Sequence, residues 1–311
     1  MKKRVIELDI LKGFGIILVV LGHNSPPHFL NVLIYAFHMP LFFFISGYIF
    51  NGQDNIYKKF QSLIVPFYFI GLLSYLLWIL KQAIFRSDEI SFISPLIGLL
   101  YGSNINNYLY FNLPLWFFTA LFSIYLIVYI FKHKYSLLFI LSLVMINYID
   151  IFRVIILPFS LNQALIGLSF FIMGNLFKYN NFKLQFQTKT YIVFGITILI
   201  WLYSVFFNGK VDLLSLNINI PILFFLNGLV GSILIFYLFF NLKIKLIDLS
   251  FLGQHSMIIF STHIPLGWIL KYFYLIFFNY NFMLFSVLEI IFYFFAINLY
   301  YKIREKNVYN F

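Results

Sequence analysis

The sequence predicts an all-α polytopic membrane protein with about ten transmembrane helices and both termini in the cytoplasm. Composition is the first observation behind this. The chain is 62% hydrophobic and only 10% charged, whereas soluble domains run to about 45–50% apolar and about 25% charged. The second is the recurrence of apolar runs close to the roughly 20 residues that cross a hydrocarbon core about 30 Å thick. The third is the placing of the basic residues, which fall in the short loops between those runs and mainly on alternate ones.

Each element follows from these patterns. MKKR followed by an apolar run mimics a signal peptide, but Asp9 and Lys12 interrupt the would-be apolar region. No small-residue cleavage site follows, so this segment is read as a retained first span. Spans are expected near 8–23, 31–50, 62–80, 114–131, 135–149, 154–177, 189–207, 219–240, 255–270 and 282–301, the fifth and ninth being short. Segment 91–103 (SFISPLIGLLYGS) is too short and too rich in Gly and Ser to cross, and reads as a re-entrant or interfacial piece. Fifteen Lys and Arg fall on one side, among them Lys2, Lys3, Arg4, Lys58, Lys59, Lys132, Lys183, Lys243, Lys245 and Lys302. Five fall on the other: Lys81, Arg86, Arg153, Lys210 and Lys271. By the positive-inside rule the richer side is cytoplasmic, which requires an even number of spans. The 311 residues leave no room for a large soluble domain, so 1–311 is read as a single integral-membrane domain.

The same numbers exclude function classes. The formal charge of +11 is dispersed among loops, so it reports topology and not a nucleic-acid surface. The absence of Cys removes a thiol nucleophile, disulfides and thiolate metal sites. No two His residues on one helix have ligand spacing, so no metal site is expected. The 44 Phe and 23 Tyr exceed what interfacial belts need and have no functional explanation in the sequence.

The chemistry-bearing stretch is ELDILKGFGIILVVLGH, residues 7–23. Ionisable groups inside a bilayer cost several kcal/mol unless they are paired or face a cavity. Eleven residues separate Lys12 from His23, which places them on one helix face, about 16.5 Å apart along the axis. Asp9 lies three residues before Lys12, within helical pairing reach. A snorkelling Lys and a helix-capping His remain the structural alternative. In the second span, His38 precedes Pro40 and can face His23 across the hairpin closed by Pro26 and Pro27, either as a helix–helix hydrogen bond or as part of a site. Lys58 and Lys59, before SLIVPF, are ordinary inside-positive charge or contacts for an anionic ligand arriving from the cytoplasm. Trp116 is expected at the outer interface. His263, well inside the ninth span, needs a partner or water. Glu289, in the tenth, either pairs with it or tunes an imidazole.

DILKGFGIILVVLGH, FHMPLFFFISGY, a basic entry to SLIVPF, PLWFFTALF and LGQHSMIIFSTH, in this order, resemble the membrane-bound acyltransferase-3 family, and within it the fucose 4-O-acetylase-like branch. The family pattern of Arg or Lys, ten residues, then His is met by Lys12 and His23. The basic residue common just before the third span is replaced here by Gln61 and Ser62, with Lys59 a little upstream. The resemblance implies a multi-pass protein of the cell membrane (the bacterial cytoplasmic membrane). It would transfer an acyl group, usually acetyl, from cytoplasmic acyl-CoA to a hydroxyl, commonly of a carbohydrate, as in O-acetylation of polysaccharides. No cofactor is implied beyond acetyl-CoA as donor substrate. His23 is then the expected general base or transient acyl carrier, with His38 beside it and Asp9 orienting Lys12. Lys12, Lys58 and Lys59 would meet the donor's phosphates, and the backbone near Ser46 and Gly47 would supply an oxyanion donor. A transporter or flippase of a lipid-linked saccharide would also use intramembrane ionisable residues and kinked helices; no inverted repeat is visible. A purely structural membrane protein leaves the facing of Lys12 and His23 unexplained.

Overall fold

The computed structural model describes residues 5–52, 55–85, 91–132, 134–179, 188–241 and 247–308. In a bilayer every backbone N–H and C=O has to be satisfied within the protein, and helices of Leu, Ile and Phe do this. The helices are α1 (Ile6–His23), α2 (His28–Ile49), α3 (Ile56–Lys59), α4 (Val65–Phe85), α5 (Ile93–Tyr101), α6 (Trp116–Ile130) and α7 (Tyr135–Asn147). They continue with α8 (Ile149–Val154), α9 (Leu161–Tyr179), α10 (Thr188–Asn208), α11 (Pro221–Asn241), α12 (Ile247–Gln254), α13 (Ser256–Phe277) and α14 (Phe282–Val308). A π-helical turn, Phe60–Ile64, joins α3 to α4. Pro66 explains it locally, because it cannot donate to the carbonyl four residues back. Asn55 starts α3 by accepting from the Tyr57 and Lys58 amides at 2.9 and 3.2 Å.

Among the described residues, seven helical stretches are long and apolar enough to cross a membrane: His28–Ile49, Ile56–Ile84, Leu113–Ile130, Pro158–Lys178, Tyr191–Asn208, Pro221–Phe240 and Phe282–Ile303. Large apolar side chains also stay exposed along α10 and α14, Leu199, Tyr203, Phe207 and Phe295 among them. A chain of this kind reads as a multi-pass membrane protein. The expected first and ninth spans are helices α1 and α13 but fall outside those seven, and the fifth, α7, has only 13 residues. Helix α13 also runs on to Phe277, well past residue 270. The piece at 91–103 is α5, closed by Gly102 at φ +65°, a conformation glycine adopts without steric penalty. Of the basic residues entering the charge count, Lys2, Lys3, Arg4, Arg86, Lys183, Lys243 and Lys245 lie outside the described residues.

The structure accounts for the phenylalanines. Phe43, Phe44, Phe67, Phe111, Phe117, Phe118, Phe170, Phe171 and Phe224 are fully buried, and rings such as Phe43 and Phe117 meet at centroid distances near 5.1 Å. They fill the spaces between helices, where stacked and edge-on rings add to the packing. Close helix crossings are made by glycine. A Cβ on Gly174 would overlap the Phe44 carbonyl and one on Gly47 the Phe171 carbonyl, which locks α2 to α9. Gly13 and Gly253 do the same for α1 and α12. Small residues at such crossings let backbones approach. Gly47 is a packing residue, and its carbonyl accepts from Asn175 Nδ2 at 3.2 Å.

The 22 residues of α2 separate the two ends of the molecule by about 33 Å. Where α1 ends, residues from the 113–116, 209–220 and 278–281 segments converge. At the far end of α2, Phe50 lies with Lys59 and Lys132, and Lys178 donates to the Phe50 carbonyl at 3.0 Å.

Candidate active site

Helix α1 is unbroken from Ile6 to His23, so the one-face relation of Lys12 and His23 survives. His23, the last residue of the helix, donates Nδ1–H to the Val19 carbonyl at 2.8 Å. Because a carbonyl only accepts, this bond fixes the tautomer and leaves Nε2 with the lone pair. His38, on α2, is buried and donates in the same way to the Ile34 carbonyl at 2.8 Å. Both histidines line one cavity of about 110 Å³ with Tyr35, Trp116 and Asp212. Tyr35 sits between them, its ring centroid 4.9 Å from that of His38 and 6.4 Å from that of His23. The third imidazole, His263 on α13, lies edge-on to His23 at 4.9 Å.

The cavity is roofed by the 209–220 loop. Asp212 and Asn217 pair through their backbones in an isolated antiparallel bridge. Asp212 Oδ1 accepts from the Leu214 amide at 3.0 Å and Oδ2 from Ser215 Oγ at 2.7 Å. The loop is tied down by Gln163 Nε2 donating to the Leu214 carbonyl at 2.8 Å and Arg153 Nε to the Leu216 carbonyl at 3.0 Å. Lys210 places its ammonium 5.1 Å from the Tyr35 ring centroid. One carboxylate and one ammonium thus stand over a cavity floored by imidazoles and aromatic rings.

The position of His23 is set from behind by Asn24. Its Nδ2 donates to Glu289 Oε2 at 2.8 Å and to Ser286 Oγ at 3.0 Å, and its carbonyl accepts from Tyr280 Oη at 2.6 Å. Partial burial, and then the nearby Glu289 carboxylate, raise the Tyr280 phenol above its ordinary value, so it stays a donor. Glu289 therefore does not pair with His263. It holds the residue next to His23, with its other oxygen, Oε1, buried and unpartnered.

The remaining sequence candidates separate. Asp9 is buried and Lys12 half-buried, one turn apart toward the start of α1; neither lines the cavity. Lys58 is exposed. Lys59 is at the other end of the molecule, its ammonium 4.0 Å from the Tyr125 ring centroid, beside a cleft shared with Lys132 and Tyr129. Trp116 is 5% exposed and lines the cavity. The sequence reading missed Tyr35, Lys210 and Asp212. The available signal was that 209–220 falls on the same side as the end of the first span and carries a carboxylate.

No curated protein and no solved structure matches the chain. One family model does: the acyltransferase domain of the acyltransferase-3 family matches residues 5–299. That stretch contains the histidine cavity, its roof and the helices that build both, and it decides for an enzyme over a transporter. With nearly the whole chain matched, this protein belongs to the acyltransferase-3 family and is an acyltransferase.

Proposed function

We propose that this protein is an O-acetyltransferase of the bacterial cytoplasmic membrane, of the fucose 4-O-acetylase-like branch. It would move acetyl from cytoplasmic acetyl-CoA to a hydroxyl of a carbohydrate or cell-surface glycan, with residues 1–311 forming one catalytic unit. The observation that carries this reading is the His23 imidazole: its tautomer is fixed by the Val19 carbonyl and it lines a cavity bounded by Asp212, Tyr35 and Trp116. In the proposed step His23 Nε2 takes the proton of the acceptor hydroxyl as its oxygen attacks the thioester carbonyl. The tetrahedral intermediate then collapses, the C–S bond breaks, and the departing thiolate takes the proton from His23. An imidazole, with an ordinary value near 6.5, suits both transfers. His38 shapes the same cavity. Lys12, Lys58 and Lys59 would meet donor phosphates along the cytoplasmic approach, with Asp9 orienting Lys12.

The gathering of the basic residues Lys59, Lys132 and Lys178 about Phe50, opposite the His23 cavity, supports a ten-span topology with both termini inside. Donor phosphates would then enter at the basic end and the acceptor at the roofed end.

The test uses everted membrane vesicles carrying the protein and supplied with acetyl-CoA. Release of the CoA thiol is titrated directly, since the protein contributes no thiol of its own. His23→Ala should lower turnover about 10²- to 10⁴-fold, the usual worth of a general base, at unchanged protein level. Near wild-type turnover in that variant removes His23 from the chemistry. A wild-type protein inert toward acetyl-CoA removes the proposed donor.

A further inference from the structure

His263 is 3% exposed, and its ring meets that of His23 at 4.9 Å with an interplanar angle of 71°. Its Nδ1 is committed to the backbone of its own helix, 2.9 Å from the Phe260 carbonyl and 3.2 Å from that of Ile259. The proton therefore sits on Nδ1, and Nε2 carries a lone pair. That Nε2 is buried with no hydrogen-bond partner among the described residues, a costly state for a polar atom away from water. His23 is held in the same tautomer by Val19. Two nitrogens that both carry lone pairs cannot bond one another, so the rings rest in contact without a hydrogen bond. A single proton on His23 Nε2 changes this, because one of the two touching rings then carries a donor and the other an unused acceptor.

We propose that His263 Nε2 accepts a hydrogen bond from the His23 imidazolium formed during acyl transfer, making His263 the positioning residue for that proton. The inference rests on His23 acting as the base. The proton leaves the acceptor hydroxyl for His23 Nε2 as the new C–O bond forms. It is steadied there by the His263 lone pair, and it passes to the CoA sulfur when the C–S bond breaks. Both imidazoles end neutral, and no other reactant is needed. The other acceptor near the His23 ring is Asp212, whose two oxygens already accept from the Leu214 amide and Ser215 Oγ. Asp212 and Lys210 from the roof oppose each other in charge. From α2, Tyr35 and His38 contribute a ring edge and a second imidazole whose Nδ1 is already bonded. Because His263 is reached through His23 and does not line the cavity, its loss should be felt in turnover and not in donor affinity.

Two substitutions separate this role from simple capping of the Phe260 carbonyl. His263→Asn places an amide where Nδ1 stood and keeps the cap, whereas His263→Gln reaches the Nε2 position with an acceptor oxygen. His263→Phe fills the volume and keeps neither. In vesicles supplied with acetyl-CoA, with rates expressed per folded protein by detergent gel filtration, Phe and Asn should each lower kcat about 10- to 100-fold, the range for a lost hydrogen bond to a charged group. The apparent KM for acetyl-CoA should stay unchanged, and Gln should recover most of the rate. Asn equal to or better than Gln overturns the proposal, as does kcat within about twofold of wild type in all three, since the predicted loss is at least tenfold. His23→Ala, run alongside, keeps the two readings apart. If it is inactive while Asn matches Gln, only the role of His263 falls; if it is active, His23 itself is excluded as the base.

Discussion

Asn24→Ala is expected to uncouple α1 from α14 at the point where His23 is held. The carboxamide donates to Glu289 Oε2 at 2.8 Å and to Ser286 Oγ at 3.0 Å. Glu289 is 2% exposed and its Oε1 already lacks a partner, so alanine leaves a buried carboxyl with neither oxygen satisfied by its present neighbours. Hydrogen bonds to charged groups are worth about 1.5–3 kcal/mol in soluble proteins. Between membrane helices the measured average is about 0.6 kcal/mol and the maximum about 1.7, because the inserted but unpacked helices find other partners. The burial of Glu289 places this bond near the upper end, at about 1–1.7 kcal/mol. The measurement is a double-mutant cycle of Asn24→Ala, Glu289→Ala and the pair, unfolded reversibly in mixed micelles by a denaturing detergent. Turnover of acetyl-CoA is followed in parallel. Both single variants should lower kcat more than they change KM, and the double should cost little beyond either single. A coupling energy below about 0.3 kcal/mol, within the error of additivity, would refute the claim that this contact anchors His23.

Three further outcomes follow from the same structure. Gly174→Ala forces a Cβ into the Phe44 carbonyl and should destabilise by about 1–3 kcal/mol, as overpacking does. Gly195→Ala, in α10 with nothing within 4 Å, should be neutral or stabilising by up to about 1 kcal/mol; equal effects in micelle unfolding would reject the close-crossing argument. Lys12→Arg should preserve much of the activity and Lys12→Met should weaken acetyl-CoA binding by calorimetry, since both cations bind phosphate and Arg cannot deprotonate. Tight binding with lost turnover in Lys12→Met would move Lys12 into the chemical step. For topology, a single cysteine at Asn307 should be inert to an impermeant thiol reagent in intact cells, and one at Ser215 should react. The reverse pattern inverts the proposed orientation.

What the sequence made legible was periodic or ionisable. The helices at His28–Ile49, Pro221–Asn241 and Phe282–Val308 appear as apolar runs of the right length, and His23 at the end of α1 and His38 inside α2 stand out as costly side chains. Asp212 and Lys210 were not legible, because a loop residue acquires its place from hydrogen bonds to distant chain, here from Gln163 and Arg153. For Glu289 the sequence leaves pairing with His263 or tuning of an imidazole open, and the structure gives it Asn24 as its partner. Both His263 and Asn24 were within its plausible reach on a sequence scale, and only the packing of α14 against the end of α1 decides between them. Trp116 looked interfacial for the general reason that Trp often is, whereas Phe43 and Phe117 pack against it inside the bundle.

The two helices that the hydropathy pattern marks least clearly, α1 and α13, both reach the cavity, beside the apolar α2 that carries Tyr35 and His38. Helix α1 carries Glu7, Asp9 and Lys12 before it reaches His23, and α13 carries Ser261, Thr262 and His263 ahead of Pro265. An apolarity threshold passes over both, for a physical reason. A helix that delivers imidazoles to a cavity must be shielded from lipid by its neighbours, and so need not be apolar all round. The shielding is visible: α1 is pressed against α12 through Gly13 and Gly253 and packs on α2 and α14 as well. Exposed apolar side chains are concentrated instead on helices such as α10, far from the histidines in role. Loss of span-like hydropathy in a helix that is nonetheless long therefore marks two of the helices that reach the cavity. By the same argument, replacing Ser261 or Thr262 with leucine would make α13 a more typical span while removing the Thr262–Tyr293 hydroxyl contact of 2.9 Å and crowding the helix against its neighbours. Thr262→Leu should then insert normally but turn over acetyl-CoA more slowly, and wild-type turnover in that variant would show that the polar face of α13 is not what orients His263.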